Sequence, residues 1–99
     1  MRALCYDRNG KAITVEKYSR LFGDKDYVRV ALDKVAGRSV STVWLGIDHN
    51  HSERGAPLIF ETAVFLRGDC DIMARYSTEA EARSGHAAIV RGLKLAAKN

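Results

Sequence analysis

Three polar features in this chain have the residue types that chemistry needs: the run Asp48-His49-Asn50-His51, the isolated Glu61 and the isolated His86. In an extended segment His49 and His51 point the same way, because strand side chains repeat every two residues, and such a pair can bind a divalent metal with oxygen from Asp48 or Glu61. The alternative is an exposed loop whose histidines have no special role, since a metal site needs a third and fourth ligand that spacing does not supply.

Glu61 stands between Ile59 and Ala63 on its own face of an apolar run, so its carboxylate needs a donor. His86 lies on the apolar stripe of a C-terminal helix. If that helix packs on the Glu61 face, the two can pair, directly or through Arg75, either as a structural link or as an acid/base pair in a cleft. The polar residues in play are therefore Asp48, His49, His51, Glu61, Arg75 and His86. No serine or cysteine has a nucleophile's context. Trp44 and Tyr76 are the aromatic candidates for a binding surface, with core packing the competing use of Trp44. The glycines Gly37, Gly46 and Gly55 occur singly and make no phosphate loop. Arg83, Arg91, Lys94 and Lys98 give the last helix a basic flank without interleaved aromatics, which argues against a nucleic-acid reader.

Positioning these residues falls to a short list of elements. Arg2 to Tyr6 reads as a strand, and Asp7-Arg8-Asn9-Gly10 carries the Asn-Gly pair of a tight turn. A hairpin return over Lys11 to Thr14 competes with a helix over Val15 to Phe22, capped by Thr14 and stopped by Gly23 in a left-handed conformation; the helix is favoured. Tyr27 to Val35 alternates as a strand, with Val28, Val30 and Leu32 on one face and Arg29 and Asp33 on the other. After a turn at Ala36 to Ser39 come two runs, Val40 to Asp48 and Pro57 to Arg67, apolar on both faces and expected at the centre of the sheet. Both faces then need cover, from the N-terminal segment or from another subunit. Asp71 to Tyr76 is a shorter strand. Thr78 with Glu81 forms a capping box that opens a helix from about Glu79 to Ala97, whose apolar stripe is Ala82, Gly85, His86, Ile89, Leu93 and Ala96.

The pattern is α+β: one domain over residues 1–99, with a mainly antiparallel sheet of three to five strands, a long C-terminal helix on one face and a short N-terminal helix. At 99 residues, with 46% hydrophobic and 28% charged residues and a single proline, the composition is that of a globular domain with its own core. Cys5 and Cys70 show no ligand or redox spacing and read as free thiols. No apolar run approaches the ~20 residues of a membrane span. The first ten residues lack a signal's apolar region, so a cytoplasmic location is the expectation. The net charge of +4 permits an acidic partner without requiring one.

Four segments together carry a resemblance: Y-D-R-N-G-K at Tyr6 to Lys11, S-T-V-W-L-G-I-D-H at Ser41 to His49, L-I-F-E-T-A-V-F at Leu58 to Phe65, and R-Y-S-T-E-A-E-A-R-S-G-H at Arg75 to His86. In this order they resemble a family of small, uncharacterised proteins of tailed bacteriophages and prophages. The shared pattern includes Trp44, Gly46, Asp48, His49, Glu61, Thr62, Arg75, Tyr76 and His86. The family often has methionine where this chain has Ala63, and commonly an aromatic at His51, which counts against a metal pair of His49 and His51; the resemblance thus implies a polar cluster of Asp48, His49, Glu61, Arg75 and His86, with His49, Glu61 and His86 as the metal candidates. The resemblance implies phage or prophage kinship and no particular activity; since the residues form no convincing catalytic constellation, the leading expectation is a small accessory protein of the host cytoplasm that acts by binding a host, defence or phage protein, for example as an inhibitor, with no cofactor unless a divalent metal. Homodimerisation would use the same central strands. A small metal-dependent hydrolase or nuclease built on Asp48, His49, Glu61 and His86 is the second expectation, and a weak nucleic-acid binder the third.

Overall fold

The computed structural model describes residues 2–52 and 54–98, in the order β1 (Cys5–Tyr6), β2 (Ala12–Ile13), α1 (Val15–Phe22), α2 (Lys25–Val28), β3 (Arg29–Val35), β4 (Arg38–Trp44), β5 (Phe60–Leu66), β6 (Asp69–Tyr76) and α3 (Glu79–Ala97). The fold is α+β: β3 to β6 form an antiparallel meander in chain order, β1 and β2 a separate hairpin, and α3 crosses all four strands of the meander. Among the described residues no helix is long and apolar enough to cross a membrane.

Turn chemistry explains the meander. Ala36-Gly37 and Arg67-Gly68 are two-residue connections with positive φ at all four residues, at 50° and 82° in the first and 49° and 87° in the second. That is the turn whose twist matches antiparallel strands, and glycine supplies its second position without steric cost. The second hairpin is tighter than the sequence suggests, so β6 begins at Asp69 rather than Asp71.

The N-terminal alternatives are both realised. The β1–β2 hairpin turns at Asp7 to Lys11, and Thr14 then caps α1 by accepting from the Lys17 N–H at 3.2 Å. Gly23 is right-handed at φ −75°, not left-handed, because Asp24 immediately caps the next turn of helix. That turn, α2, takes Tyr27 and Val28 out of the expected strand, which starts at Arg29.

The strand expected over Val40 to Asp48 stops at Trp44. The N–H groups of Leu45 and Gly46 both face the carbonyl of Ile59, at 2.7 and 3.4 Å, so two residues oppose one and the chain bends. Gly46 sits at φ +75° in this bend. Beyond it, Ile47 bridges to Cys5 and ties the N-terminal hairpin to the sheet. The second run likewise enters the sheet only at Phe60.

Strand register sorts the side chains. Trp44, Phe60, Val40, Thr42, Thr62 and Val64 face α3, and Trp44 and Phe60 are fully buried against Tyr6, Val30, Ile59 and Ala82. Tyr18 and Tyr27 pack on Trp44 at 5.6 and 5.0 Å between ring centroids. Val35, Val40, Val64 and Val90 close the other end of the core. The N-terminal segment thus shares one side of the sheet with α3 and reaches the opposite face only at the corner where Phe22 and Val28 meet Ser41 and Val43.

Candidate functional site

The polar set read from the sequence separates into three places. The first surrounds His86, which is 4% exposed on α3. Its Nδ1 lies 2.7 Å from the Thr42 hydroxyl and its Nε2 2.7 Å from Oδ2 of Asp33. Thr42 is hydrogen-bonded to Thr62, and the Tyr76 hydroxyl donates to Thr62 at 3.1 Å. One assignment satisfies every group: Tyr76 donates to Thr62, Thr62 to Thr42, Thr42 to Nδ1, and the Nε2–H of a neutral imidazole to Asp33. The chain has the atoms of an Asp-His-hydroxyl triad. It lacks access, since Thr42 and Thr62 are both 0% exposed and no substrate carbon can reach either oxygen. These residues hold α3 to the sheet.

Asp33 reaches His86 because of a β-bulge. Between Arg29 and Ala31 the register against β4 slips by one residue, with Val30 as the extra one. The slip puts Val30 and Ala31 on the α3 side in succession and so brings Asp33, rather than Leu32, to the helix. The alternation expected over Tyr27 to Val35 is corrected accordingly: Leu32 is 42% exposed on the opposite face.

Glu61 does not meet His86. Helix α3 packs on the Thr62 face, and adjacent strand residues point to opposite sides. Glu61 accepts from Nε of Arg75 across the β5–β6 pair at 2.9 Å instead. The third place is the 47–58 loop. Asp48 accepts from the Asn50 and Leu58 N–H groups at 2.8 and 3.0 Å and from Nε of Arg2 at 2.9 Å. His49 uses Nδ1 on the Ile47 carbonyl at 2.9 Å, and His51 is exposed. His49, Glu61 and His86 therefore stand apart, and the described residues contain no group of three or more His, Cys, Asp or Glu side chains able to hold a metal ion.

Both aromatic candidates belong to the interior. Trp44 donates Nε1–H to the Tyr6 carbonyl at 3.0 Å and presents no surface. Tyr76 lies over Gly85, where a β-carbon would come within 2.6 Å of Tyr76 Cζ, so its ring serves the sheet–helix contact. Sequence reasoning missed a further tie: Arg8 makes a two-toothed ion pair with Glu79, at 2.8 and 2.7 Å, and holds the N-terminal hairpin to the start of α3.

Burial pushes the Asp48 carboxyl up, but the Asn50 and Leu58 N–H groups and the Arg2 guanidinium outweigh it and hold the group below its ordinary value. Arg8, against some burial and with help from Arg83, lowers Glu79 likewise. A carboxyl lowered in the folded state stabilises above its unfolded pKa, about 4, and that contribution is lost as pH falls through the folded value. Thermal unfolding across pH 3 to 7 should show an acid limb below about pH 4 that flattens in the Asp48→Asn, Glu79→Gln double variant, whose melting temperature at pH 7 is lower. An unchanged limb would show that these carboxylates do not govern acid stability.

What the core leaves over is the outer face of the sheet. Register places twelve side chains there in three rows: Arg29, Val43, Glu61 and Arg75; Leu32, Ser41, Ala63 and Ile72; Lys34, Ser39, Phe65 and Cys70. Leu32, Phe65 and Ile72 are 42%, 42% and 50% exposed. At the corner beside Arg29 a shallow cavity of about 210 Å³ opens between Phe22, Lys25, Val28, Ser41 and Val43. A separate cleft beside α3, lined by Val64, Met73, Ile89 and Leu93, carries one base and one acid, Arg38 and Asp71, and so has no charge preference. No known protein family, curated protein or solved structure matches this chain.

Proposed function

We propose that this chain is a small, non-catalytic protein-binding module, an accessory protein of the phage or prophage kind that its sequence resembles, and that it holds a host or defence protein against the outer face of its sheet. The observation that carries this reading is the uncovered face itself, where Leu32 on the edge strand β3 and Phe65 and Ile72 on the adjoining β5 and β6 lie exposed, while Val40, Trp44, Phe60 and Val64 of β4 and β5 are buried on the α3 side. Exposed large apolar side chains gathered on one face mark interaction sites.

The sheet edges fit the same reading. The bulge of β3 at Val30 and that of β6 at Met73 both fall on edge strands, each with the extra residue on the outermost chain. Bulged edges resist pairing with a further strand, which favours the face over the edge as the contact surface.

A pull-down from bacterial host lysate with mass spectrometry tests the reading. A protein retained by the wild-type chain should be lost with Phe65→Glu and Ile72→Glu, and kept with Leu95→Glu, a control at a 65% exposed site on α3. Retention by the face variants, or loss with the α3 control alone, sinks the assignment to this face.

A further inference from the structure

Resting on that reading, we infer that the outer face recognises an acidic segment of its partner: a stretch of Asp or Glu flanking an apolar side chain, which enters the corner cavity beside Arg29. Two observations select this occupant, and they concern charge and area.

The twelve outer side chains include three bases, Arg29, Lys34 and Arg75, and one acid, Glu61, which Arg75 already holds. Lys25 adds a fourth base at the cavity rim. Arg29, Lys34 and Lys25 make no ion pair among the described residues. The face therefore offers unneutralised positive charge along its β3 edge, on either side of Leu32. A carboxylate partner matches that layout, and complementary potential of this kind sets partner choice and encounter rate.

A second copy of the chain matches it poorly. Face-to-face pairing about a two-fold axis brings the same patch against itself, so the uncompensated bases would oppose one another. The area is also small: four strands about 4.8 Å apart and three rows about 6.8 Å apart give a footprint of about 400 Å². A stable interface takes about 800 Å² from each partner. A single-stranded nucleic acid would find only Phe65 as an aromatic among the twelve residues, where stacking platforms present several. The cavity, at about 210 Å³, is smaller than the ~300 Å³ at which small-molecule pockets begin and suits one side chain of a segment.

The test is fluorescence anisotropy with the full chain and four labelled probes: a twelve-residue peptide of Asp and Glu around one leucine, its Asn/Gln counterpart, its lysine counterpart, and a twenty-residue oligothymidylate. The acidic peptide should bind about tenfold more tightly than the amide peptide at low salt, and the lysine peptide weakest. Lys25→Glu with Arg29→Glu should reduce acidic-peptide binding about tenfold, while Glu61→Gln, which frees Arg75, should strengthen it. Equal binding of the acidic and amide peptides, lost in Ile72→Glu, would overturn acid selection while leaving the face as a binding surface. Tighter binding of the oligonucleotide than of the acidic peptide, or no binding by any probe, would also overturn the inference, and the pull-down then judges the broader reading on its own.

Discussion

Replacing His86 by alanine should destabilise the protein by about 3 kcal/mol, in the range set by a cavity and a buried hydroxyl left without its acceptor. Asp33 loses its donor too, but its side chain is 55% exposed and rehydrates, so the cost falls on Thr42, which is fully buried. The comparison that isolates the network is His86→Leu alone against His86→Leu with Thr42→Val and Thr62→Val. The single change leaves the Thr42 hydroxyl without an acceptor in an apolar core. The triple change removes all the buried polar groups together and should recover much of the loss, because converting a whole network to apolar side chains can be nearly neutral. Tyr76 then loses its acceptor, a smaller cost because that hydrogen bond is only part-buried. Urea denaturation decides the matter: a triple variant as unstable as the sum of its parts would show that these residues do not act as a connected unit.

The other large effect is expected at Gly46. An added β-carbon would come within 2.6 Å of Trp44 Cζ2 and 2.7 Å of Tyr18 Cε1, and the backbone is held at φ +75°. Left-handed backbone costs a residue with a β-carbon roughly 1–2 kcal/mol, and crowding a packed core costs about 1–3 kcal/mol more. Gly46→Ala should thus lower the melting temperature by more than about 10 °C, as 1 kcal/mol is worth about 4–8 °C in a domain of this size. Gly37→Ala separates the two causes, because its φ is +82° but nothing lies within 4 Å of the added carbon. A Gly37 variant as damaged as the Gly46 variant would assign the whole effect to backbone strain and none to the seat of Trp44 on Tyr18.

Both experiments probe the side of the sheet that is built and filled. The binding proposals concern the other side, and exposed substitutions there should leave stability nearly unchanged. Phe65→Glu and Ile72→Glu can therefore be compared with the wild type for binding without a folding defect confusing the result.

How much of this was legible beforehand varies by element. The capping box of Thr78 and Glu81 and the 3.6-residue apolar stripe fix α3 within the bounds read from the sequence, because both signals are local and the helix satisfies its own backbone. Thr14 and the span of α1 are legible for the same reason. The two central strands are recognisable from apolar side chains on both faces, though not their ends, since Gly46 and the bend it allows depend on Trp44 and Ile59 being in place. The choice of partner for His86 was beyond the sequence. Alternation alone puts Asp33 with Arg29 on the face away from Val30, and only the bulge in β3 reverses it.

The sequence by itself determined that this chain forms an α+β domain with a capped C-terminal helix, two central strands and a buried-leaning histidine and glutamate that each need a partner. Tertiary structure alone decided which face α3 covers, and with it everything about those partners. Once the helix lies over Thr62, Glu61 must turn to Arg75 and His86 to Thr42 and Asp33, because neighbouring residues of a strand cannot face the same side. The same choice leaves Leu32, Phe65 and Ile72 uncovered beside Arg29 and Lys34, which make no ion pair among the described residues, and that is the surface on which the proposed function rests.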